Sequence, residues 1–202
     1  MSTCQNRLNG YDIKAREAQV VGPGLRIDAI PDADIPAQLR ATVNDTRASI
    51  WLGPANPLPE YTRLNAKSPL TFRPHMEMGT AIFSGPIPPQ ERELAVLRCM
   101  GLRCALRMGR TRTHVHIGKR SGLTQQTVER VTWGCAETGW SEHEAAILCG
   151  IDELILDQTL HDDTAKLPRK WSEPQLIGYL MMVGHYLATS FPQNSLRDAP
   201  GL

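Results

Sequence analysis

The 202-residue chain is 41% hydrophobic and 21% charged with a formal net charge of +1, an ordinary globular composition with enough length to bury one substantial core. No run approaches the ~20 uninterrupted apolar residues that a membrane span needs, and the near-neutral chain, whose basic block lacks interleaved aromatics, argues against nucleic acid as a partner. Five widely spaced cysteines with no Cys-x-x-Cys pair make a disulfide scaffold unexpected, and residues 1–10 are polar without an apolar leader core, so the chain reads as a reduced, cytoplasmic protein.

In chain order, residues 1–34 are rich in Gly, Pro and Asp without a sustained period and read as an extended N-terminal arm. Residues 35–202 read as a single all-α domain. A first helix is expected over 35–49, with Ile35, Leu39 and Val43 at near-helical spacing, followed by a Pro- and Gly-rich loop over 51–59. A short helix over 60–66 and a longer one over 71–83 follow, with Pro74 admissible only in the first turn.

Pro89 opens a helix expected to run to about residue 107, with Leu94, Leu97 and Cys104 on its apolar stripe. A helix over 111–120 stops at Gly122, and Thr124 caps the next one, which runs to Trp133. Residues 133–140, with Gly134 and Gly139, form a turn. Ser141 with Glu144, and Ser172 with Gln175, are capping boxes that open two further helices, the last ended by Pro192. The total is about eight helices and no strand. Glu93–Leu97 and Glu144–Leu148 echo each other 51 residues apart, a faint sign of a duplicated helical unit.

Charge is unevenly spread. From Leu94 to Val128 there are seven Lys and Arg and no acid, whereas from Glu129 to Asp163 nine acids face the single base Arg130. The basic block suits an anionic ligand, and the two halves can equally neutralise each other within the fold or across a subunit contact. Eleven residues of α-helix return to within about 20° of the starting direction, which places Glu93 and Cys104 on one face. His114 stands one helix later. His116, about 200° from it, is expected to be structural or exposed, so the pair does not read as a zinc site.

The segments Pro89–Arg98, His114–Thr124, Gly139-Trp-Ser141, Gln175-Leu-Ile and Val183-Gly-His-Tyr186 together resemble the carboxymuconolactone decarboxylase and alkylhydroperoxidase D-like (AhpD-like) superfamily, over roughly residues 30–198. The resemblance implies an AhpD-like all-α fold of packed helical hairpins and a homo-oligomer (dimer, trimer or hexamer) with sites near subunit contacts. Glu93 and His114 match the acid and histidine of the family's peroxidase pattern at a spacing two residues longer, but the cysteine pair of that pattern is missing and Cys104 has no partner thiol. A dithiol peroxidase cycle needs that second thiol.

The expectation is therefore a cofactor-independent lyase or related acid–base enzyme acting on a small anionic cyclic carbonyl compound, a lactone or β-keto acid. His114 would move the proton, Glu93 would orient it or supply the acid, and Arg110 or Arg112 would clamp a carboxylate. His185, Tyr186 and Trp133 are candidates for lining the substrate pocket. Two alternatives stand beside this one. The first is an AhpD-like peroxidase-related oxidoreductase using Cys104 alone, reset by an external thiol. The second is a non-catalytic binding or assembly protein, for which a solid core around His114 would be the sign.

Overall fold

Residues 24–103, 108–164 and 170–197 are described by the computed structural model, and within the helices the side chains of residues 102, 103 and 108–112 lie outside the description. Among the described residues the chain is all-α, with no strand. The helices are α1 (Ala37–Ser49), α2 (Glu60–Asn65), α3 (Pro69–Phe83), α4 (Pro89–Arg103), α5 (Met108–Arg120), α6 (Gln125–Val131), α7 (Glu142–Leu156) and α8 (Glu173–Leu196). None of them is long and apolar enough to cross a membrane.

The capping signals work as their chemistry dictates. Thr124 Oγ1 accepts from the Thr127 N–H at the start of α6. Ser141 and Glu144 complete a reciprocal box at α7, and Gln175 Oε1 accepts from the Ser172 N–H at α8. Two prolines depart from expectation. Pro74 lies in the second turn of α3, and Pro192 lies inside α8, which continues to Leu196. Each removes one N–H from the ladder, and the carbonyls left over belong to exposed residues, Leu70 and Ala188, where water can take the place of the N–H. Burial of Ser190 and Gln193 anchors α8 on either side of Pro192.

Helix α4 is the axis of the fold. It packs against α5, α6, α7 and α8, so every residue from Arg92 to Met100 is buried. The expected one-sided apolar stripe is thus replaced by a helix covered all round. Its apolar side chains divide between two clusters, Ala95, Val96, Cys99 and Met100 with α7 and α8, and Leu94 and Leu97 with Leu123, Val131 and Leu148. A third cluster, around Leu39, Val43, Leu58 and Phe72, joins α1 to α3.

Charged residues of α4 are buried too, so each needs a partner. Arg98 donates Nε and Nη2 to the two carboxylate oxygens of Asp152 on α7 at 2.7 and 2.8 Å, and Nη1 to the carbonyls of Val131 and Thr132. The guanidinium reaches them by passing over Gly134, whose φ of +89° and missing side chain are both required, since a Cβ would sit 2.6 Å from Arg98 Nη2. Part of the basic block is thereby neutralised by the acidic segment inside one chain. Removing the guanidinium leaves Asp152 buried and unpaired, so Arg98→Ala is expected to lower stability by about 3–5 kcal/mol in urea unfolding.

A covalent link corrects the expectation of reduced cysteines throughout. Cys135, in the turn after α6, is disulfide-bonded to Cys149 of α7, with Cα atoms 5.2 Å apart. Spacing alone could not pair them, because only packing of the 134–140 turn onto α7 brings them together. That turn is organised by Trp140, whose indole N–H donates to the Gly134 carbonyl while Arg130 lies over its ring. Closing so short a loop constrains the unfolded chain, and reduction is expected to cost about 3 kcal/mol, read as a lower urea midpoint in dithiothreitol that Cys135→Ser reproduces.

Candidate active site

A carboxylate–imidazole pair forms where α5 crosses α4. Glu93, wholly buried, receives the Nε–H of Arg92 on Oε1 at 3.0 Å and contacts His114 Nδ1 through Oε2 at 3.0 Å. Gly118, one turn beyond His114, lets the two helices close up, because a Cβ there would already lie 3.6 Å from Glu93 Cβ and 3.1 Å from Leu123. Arg92 is tied further by its bond to the Phe83 carbonyl and by its position over the Phe83 ring, 4.4 Å from the centroid. With the carboxylate accepting, His114 Nδ1 carries the proton and Nε2 is left as the free lone pair. The hydroxyl of Tyr186 lies 3.5 Å from Nε2, at the outer limit of a hydrogen bond.

His114 and Tyr186 face a cavity of about 210 Å³ bounded by α1, α2, α3, α4, α5 and α8. Much of its wall is apolar, with Val43, Phe83 and Met100 among the lining residues, and a few polar groups converge on it, the usual make-up of a small-molecule site. His185 also lines it. Its ring stacks on that of His75 with centroids 4.2 Å apart and planes 18° from parallel. His75 Nε2 is held by Tyr61 Oη at 3.2 Å and Thr189 Oγ1 at 3.0 Å. Burial, reinforced by the neighbouring His75 and His114, pushes the His185 pKa down to about 3. Burial lowers that of His75 as well.

Glu93, His114, His185 and Tyr186 are thus brought together at one cavity. Trp133 is not: it is 74% exposed and takes no part in the lining, which corrects its assignment as a substrate wall. Cys104 lies outside the described residues, as do the side chains of Arg110 and Arg112, although the backbone of both arginines belongs to α5. His116 is exposed, and no cluster of three or more potential metal ligands occurs among the described residues.

Three groups at the cavity escaped sequence reasoning. His75 sits in a helix with no motif around it, Tyr61 belongs to a helix read only as a connector, and Arg47 looked like an ordinary last-turn base. Among the described residues Arg47 is the arginine of the lining, with Nε–H bonded to the Gly53 carbonyl at 2.8 Å. The available signal was histidine usage: His75 and His185, like His114, lie within helices rather than loops, where a buried imidazole needs a reason.

Comparison with protein-family models, curated proteins and solved structures finds no match to this chain.

The depressed His185 pKa has a direct consequence for stability. Between pH 6.5 and about 3 the unfolded chain binds a proton at this position that the folded chain refuses, so stability is complete above pH 6.5 and is lost as pH falls through that window. His75 acts in the same direction. His185→Phe is expected to flatten this limb in urea unfolding measured at successive pH values, whereas an unchanged slope would place the effect elsewhere.

Proposed function

We propose that the protein is an acid–base enzyme acting on a small carbonyl compound, most consistently a decarboxylase of the carboxymuconolactone type. The observation that carries this reading is the Glu93–His114 pair, with its imidazole Nε2 directed at Tyr186 and a largely apolar cavity beside it. A buried carboxylate on Nδ1 fixes the tautomer and stabilises the imidazolium, the arrangement a proton-transfer histidine needs. The open cavity beside His114 counts against the assembly-protein alternative, which called for a solid core there.

For a β-keto acid or lactone of matching oxidation level, the bond to the carboxylate carbon breaks and carbon dioxide departs. The electron pair moves to the adjoining carbonyl oxygen, giving an enolate. His114 takes a proton from water on its Nε2 lone pair and delivers it to the carbanionic carbon, returning to the neutral Nδ1–H form. The substrate's own carbonyl is the electron sink, so this chemistry calls for no cofactor. An apolar cavity favours the step because a carboxylate loses its charge there. Arg47, rather than Arg92 or Arg98, whose guanidinium groups are committed to Glu93 and Asp152, is the described cation available to a substrate carboxylate. The resemblance to the superfamily adds the expectation of a homo-oligomer, which sedimentation would read directly.

A panel of small β-keto acids and lactones, followed by carbon dioxide release, tests the assignment. His114→Ala is expected to lower kcat by about 10²–10⁴ on any active compound. Glu93→Gln, which keeps the shape and removes the charge, is expected to lower it less and to shift the pH profile. Full turnover by His114→Ala would overturn the reading.

A further inference from the structure

The Nε2 edge of His185 is held bare at the cavity wall. Neither ring nitrogen is hydrogen-bonded to a described residue, although the backbone carbonyl of the same residue accepts from Thr189 Oγ1 at 2.8 Å. The partly buried ring lines the cavity, so a molecule bound there can meet the nitrogen that no described side chain engages. The ring cannot turn away freely, because it lies flat on His75 and edge-on to Tyr186, with centroids 4.2 and 5.4 Å apart. His75 is itself pinned by Tyr61 and Thr189. On the remaining side stands Gly79 of α3, another lining residue, where an added Cβ would lie 3.4 Å from His185 Nε2 and 3.6 Å from Cε1. A glycine in mid-helix is destabilising relative to alanine, yet here the missing methyl leaves the cavity side of Nε2 uncovered.

We propose that His185 Nε2–H is the hydrogen-bond donor to the substrate's carbonyl oxygen, with His75 as its positioning residue and Gly79 as the opening through which that oxygen reaches it. The inference rests on the acid–base reading above and deepens it by specifying the recognised group: an oxygen that becomes an enolate during reaction. The two imidazoles then divide the labour. His114, backed by a carboxylate, is built to carry positive charge and move a proton. His185 is built to stay neutral, since burial, His75 and His114 together hold its pKa to about 3. A neutral imidazole can polarise an oxygen through a hydrogen bond without giving up its proton, so the enolate is stabilised but not prematurely quenched on oxygen. Among the described residues, the titratable and charged groups close to this wall are His114 with Glu93 behind it on α5 and α4, His75 on α3, Arg47 on α1, Tyr61 on α2 and Tyr186 on α8.

The probe is 4-nitrophenol, a planar conjugated oxyanion when ionised, titrated into the full-length protein and followed by phenolate absorbance. The wild type is expected to bind the phenolate in preference to the phenol and so to lower the apparent ionisation pH of the bound probe by about one unit. His185→Phe keeps the ring stack but has no donor, and is expected to weaken phenolate binding about tenfold while leaving phenol binding within about twofold. His185→Gln, which restores an N–H, should recover much of the loss. Gly79→Ala is a folding control as well as a test: it should melt at or above the wild-type temperature and still bind phenolate about tenfold more weakly. Phenolate binding that is absent from the wild type, or equal in all four proteins, would overturn the donor assignment. Neither outcome touches the role of His114, which is judged by turnover of His114→Ala.

Discussion

A buried carboxylate at the centre of a helix that is covered on every side sets the terms for the rest of this structure. Glu93 has no water to solvate it, and an unpaired charge in such a place costs several kcal/mol. Two partners answer that cost from opposite directions. Arg92 comes from the same helix and is bound in turn to the Phe83 carbonyl at the end of α3, while His114 comes from α5. One side chain therefore fixes the register of α5 on α4, the end of α3 and the tautomer of the imidazole. Arg98 and Asp152 do the equivalent on the other flank of α4, joining α7 and the carbonyls at the end of α6. The buried pairs position helices that hydrophobic packing alone would leave free to slide.

The cavity lies along a seam between the α1–α3 cluster and the core around α4, α7 and α8. Aromatic and imidazole rings cross that seam in unbroken succession: Tyr61, Phe72, His75, His185, Tyr186, His114 and Phe83 each contact the next. Flat rings in edge and stacked contact resist rotation better than aliphatic side chains of similar size, so the wall is stiff where the chemistry needs fixed angles. The row ends at Phe83 under Arg92, which links the cavity wall back to Glu93. Polar function and packing are carried by the same residues here.

How much of this could be read from sequence depended on the range of the interaction. Helices with local signals were legible: the Thr124 cap, the Ser141–Glu144 box and Pro89 each act within four residues. Glu93, His114, His185 and Tyr186 stood out by their spacing and their motifs, and the fold brings them to one cavity. The misses are all tertiary. Trp133 looked like a pocket residue because it is a tryptophan beside a turn, but only packing decides which of Trp133 and Trp140 turns inward, and Trp140 did. Cys135 and Cys149 were read as thiols because nothing in a 14-residue separation says that the intervening turn folds back on α7. Pro192 was read as a stop because its cost is local, whereas the burial that outweighs it, at Ser190 and Gln193, is not. His75 was overlooked because two of its partners, Thr189 and His185, lie more than a hundred positions away and the third, Tyr61, sits on a different helix.

The arginines show why charge patterning points to a substrate class only after the partners are known. A run of seven cations without an acid invites an anionic ligand, but Arg98 spends its guanidinium on Asp152 and Arg120 lies over Trp51, 5.0 Å from the ring centroid. Neither is a lining residue of the cavity. The arginine that lines it among the described residues, Arg47, comes from a helix whose charge is unremarkable, and it stands with Thr46 and Ile50 on the α1 side, across the seam from α5 and α8. A substrate that satisfied both ends would place an anionic group toward α1 and a carbonyl toward the imidazoles, with an apolar span between them. Under the proposed acid–base reading, such a molecule would gain binding energy at the charged end and react at the other, so that affinity for the remote anion presses the carbonyl against donors that a free carbonyl compound would meet only weakly.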